Sequence, residues 1–545
     1  MISGKIPLPL ANLSSLEVLN LRYNFLQGPL QELPHSIEFF LIAGNDISAI
    51  SVPLANLSSL KVLELRDNSL QGLLQELPHS IEFFSIARNN ISAISLPLAN
   101  LSSLKVLDLH DNSLQGPSLP LANLSSLKVL NLRHNSLHGT LQGLPPSIFY
   151  FNIIDNNFFG EIPSSMCGLN SLEYLYLSKN NMSGTIPKCF ENFSNLSVLD
   201  LGNNNLHGSI SGTFVEGNSL SRLDLSGNHL EGPLPRSLIN CSKLAVLNLG
   251  NNMINGSFPY WLENLAKLRV LVLRGNRFSG PIPTSKVQFP FPGLLVIDLS
   301  HNDFTGPLPA RYFQQFQAMM KEESVEYYEV YVTITIKGVD FEVIKVLYIF
   351  AMIDLSNNHF KGEISENIGG LQHLKGLNFS HNYLTGHIPQ TMGNLSNLEW
   401  LDLSSNKLVG GIPEQLVDLT FLEVINLSFN DLTGPIPKGK QFNTFGIESY
   451  EGNLGLCGFP LPKGCANDIA PPLPLPEGDH SAHVIFEWNI VLMGYASGLV
   501  AGVAMGYIAF QTGKPQWFVT MVEAKQRKMG KRSMKIRPPK GPSRI

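Results

Sequence analysis

The sequence predicts an α/β-type repeat solenoid with a parallel sheet on its concave face, followed by one transmembrane helix. Two observations support this fold class. A pattern of leucines and asparagines recurs from the first residues to about residue 437, and one later stretch, 490–510, carries no charged residue. The 545-residue chain is 43% hydrophobic and 15% charged, a balance typical of a folded protein with a large core and not of a disordered one.

The repeat follows the pattern L-x-x-L-x-L-x-x-N-x-L-x-G-x-I-P. It reads "LEYLYLSKNNMSGTIP" at 172–187 and "LEWLDLSSNKLVGGIP" at 398–413. Repetition at a period of 20 to 50 residues is typical of solenoids. Seventeen copies share one asparagine column, formed by Asn24, Asn45, Asn68, Asn89, Asn112, Asn135, Asn156, Asn180, Asn204, Asn228, Asn252, Asn276, Asn302, Asn358, Asn382, Asn406 and Asn430.

The spacing within each copy predicts its local structure. The L-x-L core is a short strand whose leucines share one face, because successive strand residues point to opposite sides. The asparagine ends the strand, and its amide can satisfy backbone groups in the buried turn. One copy cannot bury its leucines alone, so stacking against neighbours supplies the stability. The pattern therefore predicts a leucine-rich repeat solenoid.

The repeats divide the chain into segments. About thirteen copies occupy 1–309 and four occupy 347–437, separated by an insertion at 310–346 that contains Tyr327 and Tyr328 beside the strand-like alternation "YVTITI". Such a long insertion in a compact repeat array is usually functional or a linker, and its tyrosines favour an ordered island. Residues 438–468 form a terminal cap, and 469–489 an acidic, proline-rich linker.

The G-x-I-P ending resembles the plant extracellular subclass of these repeats, in which that segment adds a second strand. An island four repeats before the end, with Tyr327-Tyr328 and Lys337-Gly338, resembles plant receptor-like proteins and steroid-type receptor kinases. The segment "QFNTFGIESYEGNLGLCGFPLPKGC" resembles the terminal cap of the same family. The resemblance implies a kinase-less receptor of the disease-resistance type, which works with adaptor and co-receptor kinases.

The uncharged stretch 490–510 is long enough, at about 1.5 Å per residue, to cross a hydrocarbon core of about 30 Å. Acidic residues precede it, and the tail at 511–545 holds ten Lys or Arg against one acid, Glu523. The positive-inside rule then predicts a single-pass type I protein of the plasma membrane, with extracellular repeats and a cytoplasmic tail. The acidic remainder argues against a nucleic-acid partner.

Within that stretch, glycines recur at every fourth position, at Gly494, Gly498, Gly502 and Gly506. Stripes of small residues let membrane helices approach closely, which predicts a helix–helix contact. The tail is too short for a catalytic domain, so a receptor of this kind must recruit a membrane partner that carries a kinase.

Cysteines and sequons favour a secretory, oxidising compartment. Cys457 and Cys465 are the predicted bridge of the cap, Cys167 and Cys189 occupy matching places in neighbouring repeats, and Cys241 is left over. Thirteen Asn-x-Ser/Thr sequons are candidate glycosylation sites: Asn12, Asn56, Asn90, Asn100, Asn123, Asn181, Asn192, Asn195, Asn240, Asn255, Asn378, Asn394 and Asn426.

No catalytic or cofactor motif occurs, and the sequence predicts no metal site and no enzyme. Aspartates recur between the two strand leucines at 200, 224, 298, 354 and 402, where they belong to the repeat consensus and are interpreted as structural. His110, His134 and His138 fall at different repeat positions and are interpreted as exposed surface.

Binding is predicted on the concave face, where arginine and aromatic residues are favoured hot spots. Tyr176 and Trp400 are placed on that exposed face by register. A stripe for an anionic or peptide ligand competes there with an ordinary solvated sheet surface. The candidate ligand-binding residues are Arg22, Arg66, His110, Arg133, Tyr176, Arg274, Tyr327 and Tyr328.

The chain opens inside a repeat, with "ISGKIP" already in register and no signal peptide or N-terminal cap, which predicts an N-terminally truncated chain. The predicted function is recognition of a pathogen- or damage-derived extracellular ligand, followed by recruitment of a kinase through the membrane helix. Three alternatives stay open: a developmental peptide receptor, a secreted inhibitor of microbial wall-degrading enzymes, and a nonfunctional truncated paralogue.

Overall fold

The computed structural model describes residues 2–465, apart from 6–9, 31, 52, 75, 95–99, 118–120, 122, 211, 213, 322–331, 337–338 and 344–349. The predicted membrane span, its glycine stripe and the basic tail lie outside these residues. Within the described part of the chain, no helix has the length and apolar character needed to cross a bilayer.

The L-x-L segments form one parallel sheet, called the front sheet below, in which each strand pairs with the strand of the next copy. The sheet is open, because Val18–Asn20 pairs only with Phe39–Leu41 and the last strand pairs only with the one before it. Its strands are Val18–Asn20, Phe39–Leu41, Val62–Glu64, Phe83–Ser85, Val106–Asp108, Val129–Asn131, Tyr150–Asn152, Tyr174–Tyr176, Val198–Asp200, Arg222–Asp224, Val246–Asn248, Val270–Val272, Val296–Asp298, Ala351–Asp354, Leu374–Asn378, Trp400–Asp402 and Val424–Asn426.

The core lies behind the front sheet and is built from the repeated leucines. Leu175, Leu199 and Leu223, the central residues of three successive strands, are at most 3% exposed. Phenylalanines replace leucine at matching positions and stack along the array, as Phe278, Phe304 and Phe360 do at ring-centroid separations of 6.1 Å. Stability therefore comes from contacts between successive copies, as expected for a solenoid.

The asparagine column closes every turn that follows a front strand. The Nδ2 of Asn204 donates to Leu177 O and Leu201 O, both at 3.1 Å, while its Oδ1 accepts from Met182 N at 3.0 Å. The amide thus joins its own copy to the preceding one. The residue before each asparagine turns with a positive φ, as Asn203 does at 52°. No shorter or apolar side chain could satisfy these buried groups.

A second set of parallel strands, called the back sheets, follows the column asparagines; most of these strands begin directly after the asparagine and end at or just beyond the glycine of the G-x-I-P ending, to which the family resemblance assigns the second strand. They are interrupted between Asp46–Ile50 and Gln71–Leu74, between Asn90–Ile94 and Gln115–Pro117, and before Val409–Gly410. The strands are Ser3–Gly4, Phe25–Leu30, Asp46–Ile50, Gln71–Leu74, Asn90–Ile94, Gln115–Pro117, Ser136–Gly139, Asn157–Glu161, Asn181–Gly184, Asn205–Ser209, His229–Gly232, Met253–Gly256, Arg277–Pro281, Asp303–Gly306, His359–Glu363, Tyr383–Thr385, Val409–Gly410, Asp431–Pro435 and Gly455–Cys457.

Short helical turns return the chain to the next front strand. A proline precedes most of them, where its fixed φ and missing N–H suit a helix start. The 3-10 turns are Leu10–Asn12, Leu54–Asn56, Ser164–Gly168, Lys188–Asn192, Arg236–Asn240, Tyr260–Asn264, Glu366–Gly370, Gln390–Asn394, Glu414–Asp418, Lys440–Thr444 and Ile447–Ser449, and the α-helical turns are Ala310–Phe313 and Gln317–Met320.

The insertion leaves the front sheet unbroken. Val296–Asp298 pairs directly with Ala351–Asp354, in the register Asp298 to Asp354. Between them the chain forms an antiparallel hairpin, Val332–Ile336 with Val339–Val343, where the alternation predicts a strand. The following copy holds the start of the insertion, because His373 donates its backbone N–H to Met319 O at 2.9 Å and its Nδ1–H to Ala318 O at 3.1 Å.

The cap continues the repeat geometry without a front strand. Asn453 adds one more member to the asparagine column: its Nδ2 donates to Leu427 O and Tyr450 O at 2.9 Å, and its Oδ1 accepts from Leu432 N. The last back strand, Gly455–Cys457, pairs with Asp431–Pro435. The cap thereby covers the final leucines, and its asparagine was hidden from the sequence pattern because the L-x-L core before it is missing.

Candidate functional site

The first candidate residues, Arg22 and Arg66, lie on the front face and share one buried carboxylate. The Nε of Arg22 donates to Glu64 Oε2 at 2.6 Å, and the Nε of Arg66 lies 2.7 Å from Glu64 Oε1. Glu64 is 3% exposed, whereas the two guanidinium side chains are 36% and 40% exposed. Arg66 also donates to the hydroxyl of Tyr23 at 3.0 Å. A ligand would meet two arginines that share one counter-charge, and not two uncompensated cations.

The histidine candidate His110 is also tied to acids, both of them in its own copy. Its Nδ1 lies 2.6 Å from Asp108 Oδ1, and its Nε2 lies 3.8 Å from Asp111 Oδ2. His134 reaches the same Asp111 through Nδ1, at 2.5 Å. The interpretation of these histidines as unrelated exposed residues is therefore wrong for this pair, because the stacked turns place successive copies side by side. Arg133, which occupies the position of His110 in the next copy, is half-buried.

Tyr176 belongs to a cluster that the sequence analysis missed. The ring of Tyr150 lies 6.0 Å from that of Tyr174 and 5.7 Å from that of Tyr176, all on the front face and all half-buried. Burial, with Tyr150 next, raises the pKa of Tyr176, so its hydroxyl stays protonated. The signal was in the register, since Tyr150 pairs with Tyr174 in adjacent strands. We call these three residues the tyrosine patch.

The recurring aspartates form a structural ladder, as the sequence analysis interpreted them. Asp354 Oδ1 accepts from the backbone N–H and the hydroxyl of Ser356 at 2.9 and 2.7 Å, and its Oδ2 accepts from Asn378 Nδ2 at 3.1 Å. Similar serine pairs serve Asp298 and Asp402. Every acceptor position is occupied from within the protein, which leaves little for a ligand.

Burial raises the pKa of several carboxyl groups in this ladder, so they are weaker acids than usual. Desolvation, and then the adjacent Asp298, raises the pKa of Asp354 to about 7. Desolvation also raises the pKa of Asp298. In the middle of the array it raises the pKa of Asp200 to about 6, against the opposing effect of Arg222, whose guanidinium lies 3.3 Å away. Two carboxylates in one buried strand pair disfavour the doubly charged state.

Arg274 and Trp400 are less exposed than a ligand-binding stripe on the concave face would require. The Nε of Arg274 lies 4.0 Å from Asp298 Oδ2, so this arginine faces the aspartate ladder. Trp400 is only 5% exposed, which corrects its placement among the exposed aromatics. Gly376 of the preceding strand lies beside Trp400, and a Cβ on that glycine would come within 2.8 Å of the indole. The missing side chain lets the indole lie flat against the sheet.

The cysteines and sequons have definite positions. Cys167 is bonded to Cys189 and Cys457 to Cys465, while Cys241 is a buried thiol. Of the sequon asparagines, Asn378 and Asn426 lie in front strands with their amides bonded to Asp354 and Asp402, and Asn240 donates to Phe214 O. The exposed sequon asparagines are Asn12, Asn56, Asn90, Asn100, Asn123, Asn181, Asn195, Asn255 and Asn394, and nothing is described for the side chain of Asn192.

Several candidates lie outside the described residues, namely Tyr327 and Tyr328 of the insertion and the glycine stripe at Gly494, Gly498, Gly502 and Gly506. In the described ranges, no group of three or more His, Cys, Asp or Glu side chains is arranged to hold a metal ion. The candidate surface that remains is the front face around the tyrosine patch.

Comparison with known proteins agrees with this architecture. Leucine-rich-repeat family models match residues 126–151, 153–206, 170–230, 234–278 and 351–408. The structure of a TDR receptor superposes with a TM-score of 0.64 at 28% identity, covering 83% of this chain and 78% of that one. The structure of PEPR1-AtPEP1 superposes with a TM-score of 0.57 at 27% identity, covering 81% and 65%.

Among curated proteins, receptor-like protein 9DC3 of Solanum pimpinellifolium is 54% identical over 256 residues, which are 44% of this chain and 30% of that protein. The match thus spans less than a third of the length of this relative. Receptor-like protein Cf-9 of the same species is 53% identical over the same length. Over the matched residues, the chain is similar to the leucine-rich-repeat receptor-like proteins of plants.

Proposed function

We propose that the chain is the recognition and coupling part of a cell-surface receptor-like protein that binds an extracellular peptide or protein ligand and signals through a partner kinase. The observation that carries the binding half is the tyrosine patch. Three tyrosines lie within ring contact on a front face whose other polar groups are mostly satisfied internally. Tyrosines of this kind are favoured as interface hot spots.

Its relatives support the same role. The solved neighbours include a receptor named with its peptide, PEPR1-AtPEP1, and a TDR receptor, while the curated relatives are named as receptor-like proteins. A ligand in this chain would be extracellular, and pathogen- or damage-derived by analogy with the disease-resistance type. In this proposal the chain signals through a partner kinase, as its resemblance to kinase-less receptor-like proteins implies.

The coupling half rests on the glycine stripe of the uncharged stretch. The full chain, tagged and expressed in plant cells, is solubilised and its co-purifying receptor kinases are identified by mass spectrometry. The double variant Gly498→Leu with Gly502→Leu is expected to lose these kinases at unchanged surface level, since bulky side chains keep the helices apart. The matched control, Val500→Leu with Ala504→Leu, alters the opposite helix face and should retain them. Equal retention in both variants would refute the docking role.

Topology is tested separately by gel mobility with and without an endoglycosidase. We expect a large downward shift from glycans on the exposed sequons, and glycopeptide mapping should find Asn56 and Asn394 occupied. Asn378 and Asn426 should stay unoccupied, because their amides are bonded within the front sheet. An unshifted band would mean that the repeats do not reach the lumen, and the extracellular assignment would fail.

A further inference from the structure

A groove of about 560 Å³ runs along the side of the solenoid, away from the front face. It crosses the copies that flank the insertion, where front strands turn toward back strands. The column asparagines Asn302, Asn358 and Asn382 form its floor, and their amides are fully engaged within the turns. Recognition must therefore come from the walls.

One wall consists of the residues that precede the column asparagines. His301 and His381 both turn with a positive φ, at 53° and 52°, and share the backbone conformation of the residues between and beyond them. Because the backbone conformation is the same at each of these positions, the side chains point in the same direction. The exposed imidazoles of His301 and His381 therefore lie along one edge of the groove. His301 faces Arg274, Asp298 and His381.

The other wall consists of the residues that follow the column asparagines, the first residues of three back strands. The ring of His359 stacks on Tyr383 with centroids 5.8 Å apart, and its Nε2 lies 3.5 Å from Asp303 Oδ1. Lys407 extends this wall, with its Nζ 5.6 Å from the centre of the Tyr383 ring. Asp303 is thus the one acid among the groove-lining residues that the structure describes.

The charge of the groove depends on the three imidazoles. When the three imidazoles are protonated, their positive charges and that of Lys407 outnumber the single negative charge of Asp303. The groove is then positive, although the chain as a whole has a net charge of −5. Burial, and then Arg274, lowers the pKa of His301, so this imidazole resists protonation. A bound anion would oppose that effect, and the affinity for an anion must then rise as the pH falls.

The imidazoles alternate between the walls, in the order His301, His359, His381 along successive copies. An extended peptide also presents its successive side chains to opposite sides, at about 3.3 Å per residue against about 4.8 Å per copy, so it can reach both walls. Three copies at the strand spacing of about 4.8 Å, with Lys407 on the next, match about five extended residues. We propose that this groove binds an extended acidic peptide segment, and that it does so more tightly at acidic pH.

The test measures the fluorescence anisotropy of a labelled heptaglutamate peptide with the full chain in detergent micelles at pH 5.5 and 7.5. Glutamate stays ionised at both values. We expect about fivefold tighter binding at pH 5.5, because a one-unit rise of one imidazole pKa on binding changes the affinity by at most tenfold and this pH window covers part of that change. The variant His301→Gln with His381→Gln should lose most of that pH dependence, since His359 alone of the three imidazoles remains. The control His207→Gln with His229→Gln changes two paired histidines of the back sheet and should keep it.

A second variant guards against a misfolding artefact. Asp303→Asn removes the acid of the groove and should tighten binding about threefold, a direction that damage to the fold does not produce. Equal affinity at both pH values, or undiminished binding by the histidine double variant, would overturn the proposal. Binding of a labelled oligogalacturonate without binding of the peptide would overturn the assignment to a peptide.

Discussion

The first and last thirds of the front face are built on the same backbone but satisfy their polar groups in different ways. From Arg22 to His134, side chains of successive copies interlock as ion pairs, with Glu64 serving two arginines and Asp111 serving one arginine and two histidines. From Asp298 onward, serine hydroxyls and asparagine amides saturate a line of aspartates. The repeat thus fixes the strand, not the chemistry of its exposed column.

The difference also appears in burial. In the last third, column members such as Asn358 are 4% exposed, while Asn68 in the first third is only partly buried. A buried group depends more on its partners than one that water can reach. The two regions should therefore respond differently to mutation, pH and salt.

The largest effect is expected from the asparagine column. Asn358→Ala removes bonds to Leu299 O, Leu355 O and Phe304 N, and should lower the free energy of unfolding by about 3–5 kcal/mol. Asn68→Ala should cost less, because its site is partly open to water. Urea denaturation followed by circular dichroism measures both, with the exposed Asn264→Ala as control. An equal loss at 68 and 358 would contradict the proposed gradient in burial.

Glu64→Gln should come next, with a loss of about 2–3 kcal/mol, because two arginines would lose one buried counter-charge. The same denaturation experiment applies. Glu38→Gln, which only breaks an exposed pair with Lys61, serves as the matched control and should change stability far less. If both variants unfold alike, the buried carboxylate does not organise the first third.

The pH response should distinguish the last third. The raised pKa of Asp354 means that the folded protein binds a proton more tightly than the unfolded chain, between about pH 4 and 7. The contribution of this group to stability is therefore present at low pH and is lost as pH rises through that window. Asp354→Asn should flatten the response by more than about 1 kcal/mol in thermal unfolding between pH 4.5 and 7.5. An unchanged pH profile would remove Asp354 as its source.

The smallest effect is expected from the exposed bridge of Arg88 to Asp67 and Asp111. Arg88→Ala should cost within about 1 kcal/mol, and the cost should vanish in 0.5 M NaCl because exposed charges are screened. Melting temperatures at low and high salt test this. A loss that persists in salt would show that Arg88 acts through packing.

The sequence predicted the array because its periodic leucines and asparagines carry local and nearest-neighbour physics. It placed the strands and the column asparagines, and it interpreted the aspartates as structural. It failed where side chains of different copies meet. Trp400 is buried only because of Gly376 in the preceding copy, and His110 joins His134 only through Asp111.

The tyrosine patch shows the same limit of the sequence analysis. The sequence analysis found Tyr176 alone because it compared positions within one copy, whereas Tyr150 of the preceding strand contacts both Tyr174 and Tyr176. Aligning the copies column by column would have revealed all three. The candidate binding surface is thus a property of the stack and not of any single repeat.

The insertion enters and leaves the array between two strands that pair as if it were absent, Val296–Asp298 and Ala351–Asp354. Beyond its start, which His373 holds through Ala318 and Met319, its length and composition are therefore uncoupled from the strand register of the copies around it. Mutations can therefore change this part of the insertion while the repeats still fold. Recognition chemistry can vary there during evolution with little effect on the stability of the fold.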